Sequence, residues 1–345
     1  MAALQLLDDA PLVARNTFRV AATAPLLAQV RERSGFDELA GMGALRHGPL
    51  LVLGEGSNLL LAGNPDGLVV HLDLRGIDIL EQDADGALVR AEAGVGWNDF
   101  VHWTLGRRLE GLENLALIPG LVGAAPIQNI GAYGSEAGDF IESVEAYDRV
   151  EGRVVRIDRA TCGFGYRNSL FKREPDRWLV LAVDFRLPRS HELRLDYAGI
   201  REELAAMGVE APRAAHVAEA VIRLRTRKLP DPSQIGNAGS FFKNPQVDAE
   251  LAGALHAEHR TMPVYPAADA SQRKLSAGWL IDACGWKGHR EGDAGVSARH
   301  ALVLVNHGQA TGAQLLDLAR RIAASVQSRF GVALEPEPRI VGASW

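Results

Sequence analysis

Apolar residues in the first half of the chain fall in short runs separated by turn residues. Residues 50–53, 68–72, 77–80 and 87–91 each predict a strand, and residues 83–86 predict a turn between the last two. Over residues 97–109 the spacing becomes helical, with Phe100, Val101 and Leu105 on one side. Residues 144–147 and 154–157 predict a hairpin around Gly152, residues 178–187 a strand, and residues 217–224 an amphipathic helix. Tyr197 falls in a loop-like insertion ahead of a helix starting near Ile200. Further on, residues 274–282 read as a helix and 302–305 as a buried strand. Residues 311–330 have a strong helical period, with Leu315, Leu318, Ile322 and Val326 on one face. Residues 332–340 read as an extended tail whose prolines force an edge position, with Glu335 and Glu337 on one side of it. Beyond Pro245 the helices and the strand read as a smaller α/β region.

Composition narrows the class. At 345 residues the chain exceeds one ordinary core, so two or three domains are expected, with a boundary near residue 225. Charged residues make up 23% and hydrophobic ones 47%, the mix of a soluble globular protein. A net charge of −6 argues against nucleic acid as a partner, because phosphate backbones need a basic face. Cys162 and Cys284 are the two cysteines, and neither belongs to a C-x-x-C pair. A reducing cytoplasm is therefore expected, without a structural zinc or a disulfide framework. Asp8 and Asp9 stand where a signal peptide would be basic, and no apolar run is long enough to span a membrane.

Three glycine-rich stretches are candidates for chemistry. The apolar run at 50–53 breaks at Gly54-Glu55-Gly56-Ser57-Asn58 before Leu59 resumes it. Successive backbone N–H groups there could face an anion, although Leu59 replaces the third glycine of a dinucleotide fingerprint and a plain hairpin turn explains the run as well. Residues 111–138 keep side chains small at Gly120, Gly123, Ala124, Gly131, Ala132 and Gly134, so that backbone can lie against a flat or phosphorylated ligand. Pro119, Pro126 and Tyr133 share that run, and Gln128 and Asn129 offer amides to the edge of a heterocycle. In the third stretch, Pro230 and Pro232 followed by Gly236 and Gly239 rule out a continuous helix or strand before Ser240. Gly239 would let backbone approach a ligand, and Phe241-Phe242 would pack beneath the serine; a serine that caps the next element is the plain alternative. Tyr166-Arg167 sits in a compact turn, where the arginine is either a surface residue or a clamp on a carboxylate. No serine-hydrolase elbow, zinc-protease motif, Walker loop or internal repeat is present.

Together, Gly54-Glu55-Gly56-Ser57-Asn58, residues 118–134, Gly165-Tyr166-Arg167 with Ser169, Phe171 and Lys172, Lys228-Leu229-Pro230-Asp231-Pro232, residues 236–245 and Leu334-Glu335-Pro336-Glu337 resemble the UDP-N-acetylenolpyruvoylglucosamine reductases. The likeness runs in order from Asn16-Thr17-Phe18 to the C-terminus, and Tyr197 resembles the tyrosine loop of one subfamily. It implies an α+β fold: a two-subdomain FAD-binding domain of the PCMH/vanillyl-alcohol-oxidase type plus a smaller α/β substrate domain. The implied bounds are residues 1–70 with 332–345, then 71–225, then 226–331. It also implies non-covalent FAD held at 54–59 and 119–134, and NADPH as hydride donor. The implied reaction makes UDP-N-acetylmuramate for peptidoglycan by hydride transfer to C3 and proton transfer to C2 of the enolpyruvyl group. Ser240 would supply the proton, while Arg167 and Glu337 (or Glu335) would hold the carboxylate. Tyr166, Tyr197, Lys228, Asn244 and Lys287 would hold the UDP-sugar. His300 stands where relatives often carry an amide. A monomeric, cytoplasmic enzyme is expected. A related FAD-dependent alcohol or sugar oxidase is the alternative, disfavoured because neither flavin loop carries a histidine for a covalent tether; a UDP-sugar-binding module without flavin chemistry is a third.

Overall fold

A computed structural model describes residues 2–267 and 269–345. The chain divides into two compact units. The first takes the chain up to Ala10, Ala24–Glu55 and Asp66–Arg227; the second takes Pro11–Thr23, Gly56–Pro65 and Lys228–Trp345. The expected single body over residues 1–70 is therefore split, because two short segments, 11–23 and 56–65, are built into the second unit. The two units meet at Arg227/Lys228, in the last turn of a helix that runs over Ala214–Lys228.

In the first unit, strands Leu4–Pro11, Thr23–Val30, Leu68–Leu72 and Leu50–Val52 are neighbours in that order, and Leu68–Leu72 pairs parallel with both of its neighbours. A second sheet orders Arg153–Asp158, Ile141–Asp148, Trp178–Pro188, Gly86–Glu92 and Ile77–Gln82, antiparallel throughout. Its central strand Trp178–Pro188 is buried on both faces. Leu179 and Leu181 join a cluster with Phe36, Val70 and Leu72, whereas Val183, Phe185 and Leu187 join Trp97, Phe100 and Val217. An irregularity in register opposite Glu145/Ala146 accompanies this change of face, as expected where an extra residue interrupts a period of two. The helix read at 97–109 is Trp97–Leu105, and its Phe100 and Val101 are buried.

The second unit is organised by helix Gly312–Phe330. Thr311 and Gln314 form a capping box at its start, and Gly331 ends it with φ 68°. Leu315, Leu318, Ile322 and Val326 are all fully buried, as the helical period requires. Gly312 stands where a Cβ would come 1.8 Å from the Leu61 carbonyl, so the helix start packs directly on strand Leu59–Leu61. That strand pairs parallel with Arg339–Val341.

Two expectations for this unit are corrected. Lys274 and Leu275 belong to strand Gln272–Leu275; the helix is Ala277–Ala283, which starts where the Ser276 hydroxyl accepts from the Trp279 N–H. Residues 332–335 alternate buried and exposed without a ladder, and Glu337 and Pro338 form a bend before the strand begins at Arg339. The missing proline N–H groups at 336 and 338 prevent a continuous ladder here. Glu335 is consequently exposed and paired with Lys243 at 2.9 Å, while Glu337 is half-buried.

Candidate active site

In the first unit the glycine-rich run becomes a chain of short turns. Leu117, Gly120, Asn129, Tyr133 and Gly134 all take positive φ. The Glu55 carboxylate accepts from the Gly120 N–H at 2.9 Å, so this side chain, expected at the cofactor, fixes the entry to the loop. Gly123 is required by packing, since a Cβ there would lie 2.6 Å from the Ala93 Cβ. Residues Gly131–Ala132 and Ser135–Glu136 form a small hairpin whose tip is Tyr133 (φ 49°) and Gly134 (φ 82°). Two successive positive φ angles match a tight primed turn, and a tyrosine at such a position is strained by roughly 1–3 kcal/mol. Strain of that kind collects at ligand sites.

Asn129 corrects a sequence expectation. Its side chain is 1% exposed and turned inward: the amide donates to Glu136 at 2.6 Å and to the Gly165 carbonyl at 3.2 Å, and its oxygen accepts from Gly138 at 2.7 Å. Both donors and the oxygen of this buried amide serve the loop, so that its backbone is what can face a heterocycle. Gln128 instead accepts from Lys172 at 3.3 Å. Ser169 donates to the Ile127 carbonyl at 2.5 Å and caps helix Leu170–Arg173, tying the 165–172 segment to the loop.

Arg167 occupies a turn closed by reciprocal backbone bonds between Gly165 and Asn168, with φ 52°. Its guanidinium lies 5.6 Å from the Tyr166 ring centroid and against Gly131, where a Cβ would meet Nη1 at 3.3 Å. Arg225, which sequence reading missed, lies close enough for Arg167 to disfavour its charge. Burial chiefly lowers its pKa, with Tyr133 acting in the opposite sense and Arg167 in the same one. Arg225 donates to the Leu117 carbonyl at 3.2 Å and has no carboxylate partner among the described residues. Its only sequence signal was helical phase: it lies one residue beyond buried Leu224 on Ala214–Lys228. Burial also raises the pKa of Tyr133, whose ring meets Tyr197 edge-on at 5.0 Å. Tyr197 is 51% exposed. Two guanidinium groups and two phenols thus gather beside the hairpin, a set suited to a carboxylate or phosphate.

The second unit holds the remaining candidates. Gly56 (φ 66°) is wedged so that a Cβ would meet the Arg15 carbonyl at 2.4 Å, and its own carbonyl accepts from the Thr17 N–H at 3.2 Å. The N–H groups of Gly56 and Asn58 have no acceptor among the described residues. Ser240 is held from behind. Phe241 donates to the Leu302 carbonyl at 2.8 Å, Glu337 donates to the Phe241 carbonyl at 2.8 Å, and both phenylalanines are 1% exposed. The Asn237 amide donates to Pro230 and Ile235 carbonyls and accepts from Gly239, locking the loop in front. Gly239 (φ 70°) has nothing within 4 Å of a Cβ position, so its glycine answers to backbone conformation and the space above it is open. The Ser240 hydroxyl has no hydrogen-bond partner among the described residues. The Glu337 main chain is thus tied opposite Phe241, the residue after Ser240, whereas the Glu335 carboxylate is paired with Lys243.

Lys228, Lys287 and His300 converge. Burial first, then Lys228 and Lys287, hold the His300 pKa below its usual value, and His300 Nδ1 accepts from the Leu302 N–H at 3.3 Å. Lys287 lies 3.5 Å from Asp282, and Lys228 has no ion pair among the described residues. Asn244 is the exception: its Oδ1 accepts from the Ala277 N–H at 3.0 Å, at the start of helix Ala277–Ala283. Its amide nitrogen has no acceptor among the described residues and can face a ligand.

The comparisons with known proteins agree on both halves. An FAD binding domain model matches residues 42–158, and the model of the UDP-N-acetylenolpyruvoylglucosamine reductase C-terminal domain matches residues 231–341. In the first unit, the backbone-lined hairpin loop fits such a cofactor. The protein is an FAD-dependent oxidoreductase with an FAD-binding part and a smaller C-terminal part. Among curated relatives, the UDP-N-acetylenolpyruvoylglucosamine reductases of Xanthomonas euvesicatoria pv. vesicatoria and Xanthomonas axonopodis pv. citri are each 60% identical over 341 residues, 99% of this chain and 97% of theirs. The crystal structure of the reductase from Thermus caldophilus is 27% identical with a TM-score of 0.66, over 98% of each chain. The chain belongs to the UDP-N-acetylenolpyruvoylglucosamine reductase family.

Proposed function

We propose that this protein reduces UDP-N-acetylglucosamine enolpyruvate to UDP-N-acetylmuramate with NADPH, acting as a cytoplasmic monomer in peptidoglycan precursor synthesis. FAD, held by the backbones of residues 54–59 and 119–134, would supply the hydride-transfer chemistry that links NADPH to C3 of the enolpyruvyl group. Ser240 gives its hydroxyl proton to C2. The observation that carries this role is a hydroxyl without a partner among the described residues, beside an open, left-handed Gly239 and fixed from behind by Phe241 and Phe242. Arg167 and Glu337 hold the carboxylate on which negative charge develops, the arginine by paired N–H groups. Lys228, Lys287, Tyr166, Tyr197 and the free amide nitrogen of Asn244 bind the UDP-sugar. The backbones of 54–59 and 119–134 bind the cofactor. In functional terms residues 71–225 serve mainly the flavin and residues 226–331 the sugar nucleotide. No helix among the described residues is long and apolar enough to cross a membrane.

The test is anaerobic. One equivalent of NADPH should bleach the flavin band of the purified protein, and the UDP-sugar should then restore it with formation of the lactyl ether. A flavin that stays bleached with the sugar nucleotide yet recovers with oxygen would overturn the substrate assignment in favour of an oxidase.

A further inference from the structure

Residues 191–196 have no regular secondary structure, yet they lead straight into Tyr197. Their side chains alternate: His191, Leu193 and Leu195 turn inward, and Glu192, Arg194 and Asp196 outward. The two leucines pack on the main hydrophobic cluster of the first unit. His191 Nε2 lies 2.6 Å from Glu113 Oε1, a carboxylate with no exposed surface whose other oxygen accepts from the Gly111 N–H at 2.7 Å. Next to it, fully buried Asn114 donates to two carbonyls at once, Tyr133 at 2.8 Å and Arg194 at 2.9 Å. Arg194 in turn donates to the Gly134 carbonyl at 3.0 Å and pairs with Asp139 at 2.6 Å. The segment carrying Tyr197 is thus fastened to the hairpin that carries Tyr133.

The Asn114 Oδ1 atom is buried and has no donor among the described residues. An orphaned amide oxygen is costly, and a hydrophobic residue would avoid it. The amide is kept for what its two N–H groups hold. Glu113 likewise is a carboxylate removed from water, which demands a strong partner. Nothing in the proposed chemistry uses either residue.

We propose that Glu113 and His191 are positioning residues for sugar-nucleotide binding: their ion pair sets Tyr197 against the 131–134 hairpin, and the hold weakens when His191 loses its proton. The inference rests on the reading of Tyr197 as a substrate contact. His191 is faced by Glu113 and Glu110 from the preceding loop, by Arg194 from its own segment, and by the edge of the Phe140 ring. The hydrogen bond to Glu113 acts most strongly and raises its pKa against the opposing effect of burial, with Glu110 adding and Arg194 subtracting. A raised pKa means that the pair is intact below the ordinary histidine value and is lost as pH climbs through the folded one. Of the groups that fasten the segment, the His191 imidazole is the one whose ordinary pKa lies at the edge of that window, and the leucines and Asn114 carry no titratable group.

The test compares the holoenzyme with H191A and H191Q, measuring kcat, the KM for the UDP-sugar and the rate of flavin reduction by NADPH from about pH 6.5 to 9. Glutamine offers a donor at a similar reach whose strength does not depend on pH. The KM of the native protein should rise about tenfold across the window, that of H191A should be raised at every pH, and that of H191Q should be intermediate and flat. Trypsin provides a readout that needs no substrate: cleavage after Arg194 at pH 7 should be about tenfold faster in H191A than in the native protein. Equal cleavage of the two, or an H191Q profile that keeps the native pH dependence, would overturn the proposal. Failure of all three proteins to turn over the sugar nucleotide, with faster cleavage in H191A, would refute the substrate reading and leave the fastening in place.

Discussion

Replacing Ser240 with alanine isolates the proton donor from the rest of the chemistry. The hydroxyl has no hydrogen-bond partner among the described residues, and the neighbouring backbone is held by Phe241 and Glu337 through main-chain bonds that alanine keeps. Removing it leaves no buried group orphaned, so stability should change by no more than about 0.5 kcal/mol. Catalysis should respond very differently. A positioned general acid contributes roughly 10²- to 10⁴-fold, or about 3 to 5 kcal/mol of barrier. Rapid mixing separates the two half-reactions: flavin reduction by NADPH should keep its native rate, whereas reoxidation by the UDP-sugar should fall by that factor. Melting followed by flavin release controls for folding. Equal slowing of both half-reactions would refute the donor role, and a loss of melting temperature beyond about 5 °C would show that the hydroxyl has a structural partner.

Two glycines separate conformation from crowding. G239A meets open space and should cost about 1–2 kcal/mol through its left-handed backbone alone, while G56A adds a Cβ 2.4 Å from the Arg15 carbonyl and should cost several times more in urea unfolding. His300 predicts a pH effect of defined sign. Its folded pKa is depressed by burial and by Lys228 and Lys287, so the unfolded chain takes up the proton first as pH falls. Stability should therefore drop as pH falls through the ordinary histidine value, and H300Q should flatten that limb of a thermal melt profile; an unchanged limb would exclude His300 as its source. Burial pushes the Cys162 thiol up to about 12, so a thiol reagent at neutral pH should modify half-buried Cys284 and leave Cys162 until the protein unfolds. Rapid labelling of both would contradict the packing around Cys162.

Local pattern carries far in this chain where one periodic face meets one core. Four residues of the 312–330 helix were placed by period alone, because a nineteen-residue amphipathic stretch with a capping box and a terminal glycine leaves few alternatives. The glycine-rich runs at 54–58, 118–134 and 236–240 were visible for a similar reason: positive φ and close approach leave a compositional trace. What a residue does with its polar atoms leaves none. Asn129 and Gln128 are adjacent amides of equal promise in sequence, and only the fold decides that Asn129 turns both donors and its oxygen to Glu136, Gly165 and Gly138. Glu335 and Glu337 share one spacing, yet the prolines between and after them break the ladder, so that a bend rather than strand alternation leaves Glu335 exposed and paired with Lys243 and Glu337 half-buried, with its main chain bonded to Phe241. Arg225, Asn114 and the Glu113–His191 pair were invisible for the same reason, since their partners lie up to 108 residues away. Backbone conformation is written in nearest neighbours and can be read there; the partner that satisfies a polar side chain is chosen by long-range packing, which no local window contains.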